Sequence, residues 1–532
     1  MPLRSWPKQP CTKPRPEVAA GCTINTMSLK LESSKRPASP ESGSAGGSAL
    51  RPAGMEQVRA AQLVWARTAL RARLAILRRT RHRIATTAVE IAQSVPCEQP
   101  PEQPSDQCRP LHGSVADSLV SEVLPLVEAC RFLEREAGWI LATQRLSAHA
   151  RPFWLRRVTA ETSREPLGVV LIIAPANYPL FLPGVQALQA LAAGNAVLWK
   201  PAPGGRAAAD ALRAALVACG LDPALLQLLD ESTQAAADAI AGGVDKVFLT
   251  GSAATGAAVL SQLAPHLTPA VMELSGCDAV FVLAGAALDR VVEALAFGLR
   301  LNGSATCMAP RRLFLVGRHP GLVPALLERL NSLPAIALPP YTQARLADLL
   351  EDARRLGGTV LLEQAGETIR YAVVSNATPE MRIAQSDIFA PVLSIFEAPD
   401  MDAALAAHAP CPYALTAAIF GPEPAARALA SRLPVGTVLI NDLIVATADP
   451  RIGFSGRKSS GFGVTRGREG LLEMTALKTV VVQRSRDLRA YRPTTSKHQP
   501  FFAAYLEAVH GGKWRARWRG LRRLLRAAAK LD

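Results

Sequence analysis

A cysteine and a glutamate stand in the two stretches best suited to covalent chemistry. Cys307 lies in a loop of small residues, 302–312, between an apolar run that predicts a helix and one that predicts a strand. A thiol in such a loop can reach a reacting carbon, whereas a thiol that only packs usually lies within an apolar run. Glu273 lies in a strand-like apolar run. Burying a carboxylate there costs free energy unless an opposite charge pairs with it or its raised pKa serves a reaction. The pair could form a thioester and then activate water to hydrolyse it.

A third stretch presents an amide at the end of another strand-like run. Asn177 lies in the loop 175–179, and its side chain could donate a hydrogen bond to an oxyanion. Each of the three residues also has a purely structural explanation. Cys307 could pack in the core, Glu273 could form a salt bridge at a strand end, and Asn177 could cap its own turn.

Five further motifs accompany these three stretches. They lie at 165–170, 194–201, 248–256, 387–392 and 456–463. In this order, and with 34 residues from Glu273 to Cys307 and 23 from Asn177 to Lys200, the eight motifs resemble the aldehyde dehydrogenase superfamily. The resemblance extends over residues 55–483, and the chain is identified as a divergent member.

The resemblance implies an α/β fold with two Rossmann-like parallel-sheet domains, one for the cofactor and one for catalysis, plus a small oligomerisation element. It also implies roles in catalysis. Cys307 attacks the aldehyde, and Asn177 with the Cys307 amide holds the oxyanion. Hydride then passes to the nicotinamide, and Glu273 activates the water that releases a carboxylic acid.

The resemblance further implies that NAD or NADP is the cofactor. Lys200 is expected to contact the adenosine ribose, and Gly251 with Ser252 opens a helix that faces the diphosphate. Asp387 matches a family glutamate that holds the nicotinamide ribose, and Phe389 matches a ring beside the nicotinamide. Lys200 taken alone is equally a solvated lysine at a strand end.

Several positions depart from the family pattern. Ser304 and Ala305 replace a Gly-Gln pair, Ser275 replaces a glycine, and Ala176 replaces a tryptophan. Pro203 stands where a carboxylate often binds the adenosine ribose hydroxyls, which leaves the preference between NAD and NADP open. These changes also leave open whether activity is reduced.

Two competing functions remain. One is an acylating or reductive relative that acts on a coenzyme A thioester or an acyl phosphate, and the other is a catalytically silent scaffold. Glu273 favours the hydrolytic route, because family members that acylate coenzyme A commonly lack that base. Tyr178, Val185, Thr306 and Phe454 are expected to wall the aldehyde pocket, although each is more often an ordinary core residue. The substrate stays unnamed.

Composition excludes several classes of protein. The 532 residues suffice for two or three domains and contain no uninterrupted apolar run of 18. Nine cysteines without a Cys-x-x-Cys pair predict a reducing, cytoplasmic location, and no metal site is expected. Of the net charge of +16, residues 1–54 carry +5 and residues 484–532 carry +10. The remaining body is nearly neutral, so no nucleic-acid partner is expected.

Alternating strand-like and helix-like runs between 169 and 274 predict a parallel sheet with ligands at the carboxyl ends of its strands. We expect a homo-oligomer with five segments along each chain. These are a disordered N-terminal extension at 1–54, an NAD(P)-binding domain at 55–275 with an oligomerisation hairpin at about 146–166, a catalytic domain at 276–465, an oligomerisation strand region at 466–483, and a basic amphipathic tail at 484–532.

The tail predicts a helix with two faces of different chemistry. Trp514, Trp518, Leu521 and Leu525 recur at helical spacing among many arginines. This pattern favours attachment to an anionic membrane surface, with peripheral localisation, or to an acidic partner. The alternative is a helix that docks on its own enzyme body and leaves its basic face in water.

Overall fold

The computed structural model describes residues 52–95, 97–98, 109–110, 113–362, 368–369, 371–486, 488 and 491–529. Most of the predicted N-terminal extension therefore lies outside the described residues. Within them, two large, mainly parallel sheets are flanked by helices, which confirms the predicted α/β class.

The first sheet has six strands and is buried between helices. In spatial order its strands are Gly461–Phe462, Ala270–Leu274, Lys246–Gly251, Val169–Ile173, Ala196–Lys200 and Leu226–Leu228. All neighbours are parallel except Gly461–Phe462, which runs antiparallel to Ala270–Leu274. Val169–Ile173 is buried along its whole length, as a parallel strand covered on both faces must be.

The second sheet has seven strands. Their spatial order is Thr359–Leu362, Ala372–Ser375, Val392–Ala398, Pro310–Val316, Asp278–Val282, Thr416–Phe420 and Thr437–Ile440. Only the first of these strands is antiparallel to its neighbour. Phe281, Phe314 and Phe396 stack in its core, with ring centroids 4.8 and 4.6 Å apart.

Helices cover both sheets and extend beyond them at the C-terminus. The described α-helices are Pro52–Arg67, Leu70–Thr86, Ala88–Gln93, Val115–Ser118, Leu124–Ile140, Phe181–Ala193, Arg206–Ala218, Thr233–Ala241, Ala253–Leu263, Leu288–Arg300, Leu322–Asn331, Pro340–Arg355, Met401–His408, Glu423–Ala430, Gly467–Glu473, Gln499–His510 and Trp514–Ala528. A π-helical turn, Leu119–Val123, joins two of them.

A third, antiparallel sheet contains the two segments predicted for oligomerisation. Val158–Pro166 pairs with Gln144–Arg145 on one side and with Thr475–Gln483 on the other. The pairing with Thr475–Gln483 joins segments that are far apart in the sequence. The predicted domain boundaries stay predictions, although Gly461–Phe462 crosses back to the first sheet from inside the predicted catalytic segment.

Asn195 joins three segments of the chain next to the first sheet. Its side chain is buried, and Oδ1 accepts hydrogen bonds from the amides of Leu167, at 2.7 Å, and Gly168, at 3.0 Å. Nδ2 donates to the Ala190 carbonyl at 3.2 Å and the Met474 carbonyl at 2.8 Å. The last of these bonds holds the entry to the third sheet against the first.

Substituting Asn195→Ala is expected to lower the free energy of unfolding by about 3 kcal/mol, because buried amides and carbonyls lose their partners. Chemical denaturation measures the change. Gln234→Ala, on an exposed helix surface, is the control and should shift stability by less than about 0.5 kcal/mol. Equal stability of the two variants would contradict the role assigned to Asn195.

Candidate active site

A cleft of about 820 Å³ opens where the carboxyl ends of the first sheet meet the second sheet. It brings together seven of the eight site residues predicted from the sequence. They are Asn177, Gly251, Ser252, Glu273, Cys307, Asp387 and Phe389. Residues from both sheets therefore border one cavity, as ligand sites at the ends of parallel strands do.

The loop that carries Cys307 has an unusual backbone. Asn302, Gly303 and Ser304 have φ of 51°, 58° and 68°, in the left-handed region that costs energy for residues other than glycine. Gly276, at the end of the glutamate motif, lies directly against this loop. A Cβ at Gly276 would come within 2.7 Å of the Cys307 carbonyl oxygen, so only glycine lets the two motifs approach.

A buried arginine holds this loop in place. Arg311 donates to the hydroxyl and the carbonyl of Ser304 at 2.8 and 2.7 Å, and to the Ala390 carbonyl at 2.7 Å. The Ser304 hydroxyl also donates to Ala390, at 3.1 Å. Burial lowers the pKa of Arg311 to about 10, so the group still carries its charge at neutral pH. The arginine thus joins the cysteine loop to the segment that carries Asp387.

The Cys307 thiol is mainly protonated at rest. Burial raises the pKa of the Cys307 thiol well above its usual range, and the carboxyl groups of Glu273, Asp278 and Asp387 add to this rise. The guanidinium of Arg466 opposes it. The thiol therefore needs a proton acceptor before it can attack as a thiolate.

Glu273 is held in a defined position by its neighbours. Its side chain is 4% exposed, and Oε2 accepts a hydrogen bond from the Thr465 hydroxyl at 2.7 Å. Burial raises the pKa of Glu273, while Arg466 and the bond from Thr465 oppose the rise. A buried carboxyl of raised pKa beside a nucleophile is suited to exchange protons near neutral pH.

Arg466 is a residue of the site that the sequence reasoning missed. Its guanidinium donates to the Thr447 carbonyl at 2.7 Å and lies over the Phe454 ring, 4.6 Å from the centroid. Burial lowers the pKa of Arg466, whereas Glu273 and Cys307 raise it. The one signal in the sequence was an arginine between a threonine and a glycine, which is equally typical of a surface turn.

Asn177 reaches the cysteine loop directly. Its Nδ2 donates to the Ala305 carbonyl at 2.8 Å, and Asn302 donates to the Asn177 carbonyl at 2.8 Å. The amide has two N–H groups, so the bond to Ala305 leaves it a second donor. These two bonds couple the loop after the first strand to the loop that carries Cys307.

The opposite wall of the cleft is formed by the start of a helix. The Ser252 hydroxyl accepts a hydrogen bond from the Thr255 amide at 3.1 Å and caps Ala253–Leu263. Gly256 lets this helix pack closely, since a Cβ there would lie 2.9 Å from Leu274. Burial raises the pKa of Asp387, and a hydrogen bond from Ser275 opposes the rise. These groups fit a ligand that presents phosphates and ribose hydroxyls.

Lys200 is the one predicted site residue that does not border the cleft. It lies buried at the end of its strand, where burial lowers its pKa and Glu231 and Asp230 oppose the change. The Glu231 carboxylate accepts hydrogen bonds from the amides of Gly204, at 3.0 Å, and Arg206, at 2.9 Å. A carboxylate from a later loop thus holds the turn that follows Pro203.

The residues expected as pocket walls do not border the cleft. Phe454 and Val185 are core residues, and Tyr178 hydrogen-bonds Thr306 at 2.9 Å. Residues of helices and turns on either side border the cleft, among them Asp117, Val120, Ser121, Leu182, Phe297, Arg300 and Leu301.

Comparison with known proteins agrees with this architecture. The model of the aldehyde dehydrogenase family matches residues 45–480. A 4,4'-diapolycopene aldehyde oxidase from Methylomonas is 30% identical over 414 residues, which cover 74% of this chain and 77% of the relative. A succinate semialdehyde dehydrogenase (NAD(P)+) from Escherichia coli is 31% identical over 353 residues, which cover 62% of this chain and 75% of the relative.

Solved structures show the same fold. An NAD-dependent aldehyde dehydrogenase from Sinorhizobium meliloti aligns with a TM-score of 0.73 at 22% identity, over 83% of this chain and 87% of that structure. An NADP-dependent glyceraldehyde-3-phosphate dehydrogenase from Bacillus halodurans, complexed with NADP, aligns with a TM-score of 0.72 at 24% identity. The alignment covers 81% of this chain and 90% of that structure. The chain belongs to the aldehyde dehydrogenase family.

Proposed function

We propose that this protein oxidises an aldehyde to a carboxylic acid with NAD or NADP, through a thioester on Cys307. The observation that carries the proposal is a single cleft bordered by the Cys307 thiol, the Glu273 carboxyl and the Asn177 amide. A nucleophile, a base and an oxyanion donor are the groups that this route requires.

The other wall of the same cleft suits the cofactor. When bound, NAD or NADP supplies the acceptor for the hydride that leaves the substrate carbon. Gly251 and the helix start at Ser252 would face its diphosphate, while Asp387 and Phe389 would lie at its nicotinamide end. Lys200 would contact the adenosine ribose outside the cleft. The solved relatives that bind NAD or NADP support this assignment.

Cys307 acts first in the proposed sequence. The thiol gives its proton to solvent water in the cleft, and the positive charge of Arg466 stabilises the resulting thiolate. The thiolate adds to the aldehyde carbon, and Asn177 with the Cys307 backbone amide donates hydrogen bonds to the oxygen that becomes negative. Oxidation of this adduct leaves an acyl group on the sulfur.

Glu273 then releases the acid. Its carboxylate takes a proton from water, which attacks the thioester and restores the thiol. The hydrogen bond from Thr465 fixes the orientation of the carboxylate. The presence of this base in the cleft favours hydrolysis over transfer to coenzyme A or reduction of an acyl phosphate. A silent scaffold is the less favoured function, because the Cys307 thiol, the Glu273 carboxyl and the Asn177 amide all border one cleft.

We also propose a cytoplasmic homo-oligomer. Five of the cysteines within the described residues are free, which supports a reducing compartment. Strand Thr475–Gln483 forms an edge of the third sheet, and Leu477 and Val481 on it are 59% and 61% exposed. An exposed apolar edge of this kind is normally covered, here by a second copy. For the basic tail we propose an anionic membrane surface or an acidic partner.

Replacing the nucleophile tests the thioester route. Cys307→Ser should lower aldehyde-dependent formation of reduced cofactor by at least about a thousandfold, because a serine hydroxyl is a far weaker nucleophile here. The absorbance of reduced nicotinamide, with NAD and NADP in parallel across a panel of aldehydes, measures it.

Cys219→Ser is the matched control, since Cys219 is a free, half-buried cysteine that does not border the cleft. It should retain full turnover. Turnover that persists in Cys307→Ser would overturn the route. A wild type that turns over only with coenzyme A present would favour the acylating alternative.

Removing the base should separate acylation from hydrolysis. Glu273→Gln is expected to form reduced cofactor in a single burst and then to slow by about 10²–10⁴-fold, because water is no longer activated. Rapid mixing measures burst and steady state. Glu397→Gln, an exposed carboxylate of the second sheet, should behave as wild type.

Glu273 is also expected to determine how steady-state turnover depends on pH. Because burial raises the pKa of Glu273, steady-state turnover should fall with decreasing pH already above the ordinary carboxyl value of about 4.3. The protonated carboxyl cannot accept a proton, so the loss lies on the acid side. This acid limb should be absent from Glu273→Gln, and its persistence there would assign it to another group.

Charged substitutions on the edge strand Thr475–Gln483 test the proposed homo-oligomer. Leu477→Lys with Val481→Lys should shift the mass measured by light scattering toward that of a single 56.5 kDa chain, because the charges cannot be buried at the edge. Leu267→Lys, which alters a more exposed apolar residue away from this edge, should leave the mass unchanged. A wild-type mass of one chain would refute the proposal.

A further inference from the structure

The two C-terminal helices, Gln499–His510 and Trp514–Ala528, pack against each other as a hairpin. Gly520 allows their close contact, since a Cβ there would lie 2.3 Å from the Ala508 nitrogen. The hairpin also touches the enzyme body, where the rings of Trp154 and Tyr505 meet edge to face with centroids 5.4 Å apart. The tail is thus a folded element with a fixed attachment.

Apolar side chains of the hairpin and the body form one exposed surface. We call the tail face the residues Phe153, Trp154, Val509, Trp514, Trp518 and Leu521. Five of them line a groove of about 690 Å³ between hairpin and body, and Trp514 lies one turn before Trp518. Phe153, Trp514 and Trp518 are 69%, 68% and 57% exposed. An apolar surface of this kind marks an interaction site.

The charge around the tail face selects the partner. Trp514–Ala528 contains six arginines and no acidic residue. Glu507 pairs with Arg519, at 2.7 Å, and with Arg523, at 3.3 Å, but Arg522 and Arg526 are exposed without an ion pair among the described residues. Two copies of this face brought together would place arginine against arginine. The partner must therefore carry negative charge.

We infer that the tail face binds the surface of an anionic phospholipid bilayer. Tryptophans and long arginine side chains on one helix suit the boundary between headgroups and acyl chains, where rings enter the apolar layer and guanidinium groups meet phosphates. Among the described residues, none of the helices could span a bilayer.

This inference deepens the partner proposed above and commits it to lipid over an acidic protein. It does not depend on the aldehyde chemistry, because no residue of the tail face borders the active-site cleft. Failure of membrane binding would leave turnover in solution unaffected, and failure of turnover would leave binding unaffected. The two proposals are therefore separable in the same samples.

Co-sedimentation of the full chain with extruded vesicles tests the inference. Vesicles of phosphatidylcholine alone are compared with an equimolar mixture of phosphatidylcholine and phosphatidylglycerol. The wild type should bind the anionic vesicles at least about tenfold more tightly, and added salt should weaken this binding. Trp514→Ser with Trp518→Ser should lower the affinity for anionic vesicles by at least about tenfold.

Arg522→Gln with Arg526→Gln gives a second test that leaves the apolar contacts of the hairpin intact, and it should also weaken binding to anionic vesicles. Leu267→Ser is the control, since Leu267 is an 89% exposed apolar residue on the body, and it should bind as the wild type. Equal binding to both vesicle types, or no loss in either tail variant, would overturn the inference. So would a tail variant whose oligomeric mass changes, which would assign the face to a contact between copies.

Discussion

The proposed active site depends on charged groups that are buried where the two sheets meet. Glu273 comes from the first sheet, Cys307 enters the second, and the guanidinium of Arg466 acts on both. A buried carboxylate or thiolate is costly without an opposite charge, so Arg466 makes both anions attainable in a closed cleft. The stacking of Arg466 on Phe454 and its bond to Thr447 keep that charge in one place.

The cysteine loop shows how a departure from the family pattern is accommodated. Ser304 adopts a left-handed φ that a glycine would adopt at lower cost. In this conformation the Ser304 hydroxyl accepts a hydrogen bond from Arg311 and donates one to the Ala390 carbonyl. The Ser304 carbonyl accepts a further hydrogen bond from Arg311. The strain is therefore offset by buried hydrogen bonds. The same bonds fix the distance between the nucleophile loop and the segment of Asp387.

The sequence predicted the parts of this site that lie at strand ends. Asn177 and Glu273 follow or close long apolar runs, and such runs predict buried parallel strands whose ends share one edge. The residues expected as pocket walls do not border the cleft, because its borders depend on which helices flank it. Val120 and Phe297 belong to helices whose periodicity shows a buried face but not what that face borders.

Arg466 and Arg311 could not be predicted for a different reason. An arginine beside a glycine or within a basic pair is most often exposed, and only tertiary structure decides that these two are buried. The two C-terminal helices illustrate the opposite case. The spacing of Trp514 and Trp518 predicted the basic amphipathic helix, but its partner Gln499–His510 carries a weaker pattern and was not foreseen.

The net charge of +16 does not show how the basic residues are distributed between the body and the tail. Basic and acidic residues nearly balance within residues 55–483, where Arg311 and Arg466 are buried and donate hydrogen bonds to carbonyl groups. In the tail, Arg522 and Arg526 are exposed without an ion pair among the described residues, on the helix that carries Trp514 and Trp518. Their charge can therefore act on a partner at a distance, whereas the charge of Arg466 acts on Glu273 and Cys307.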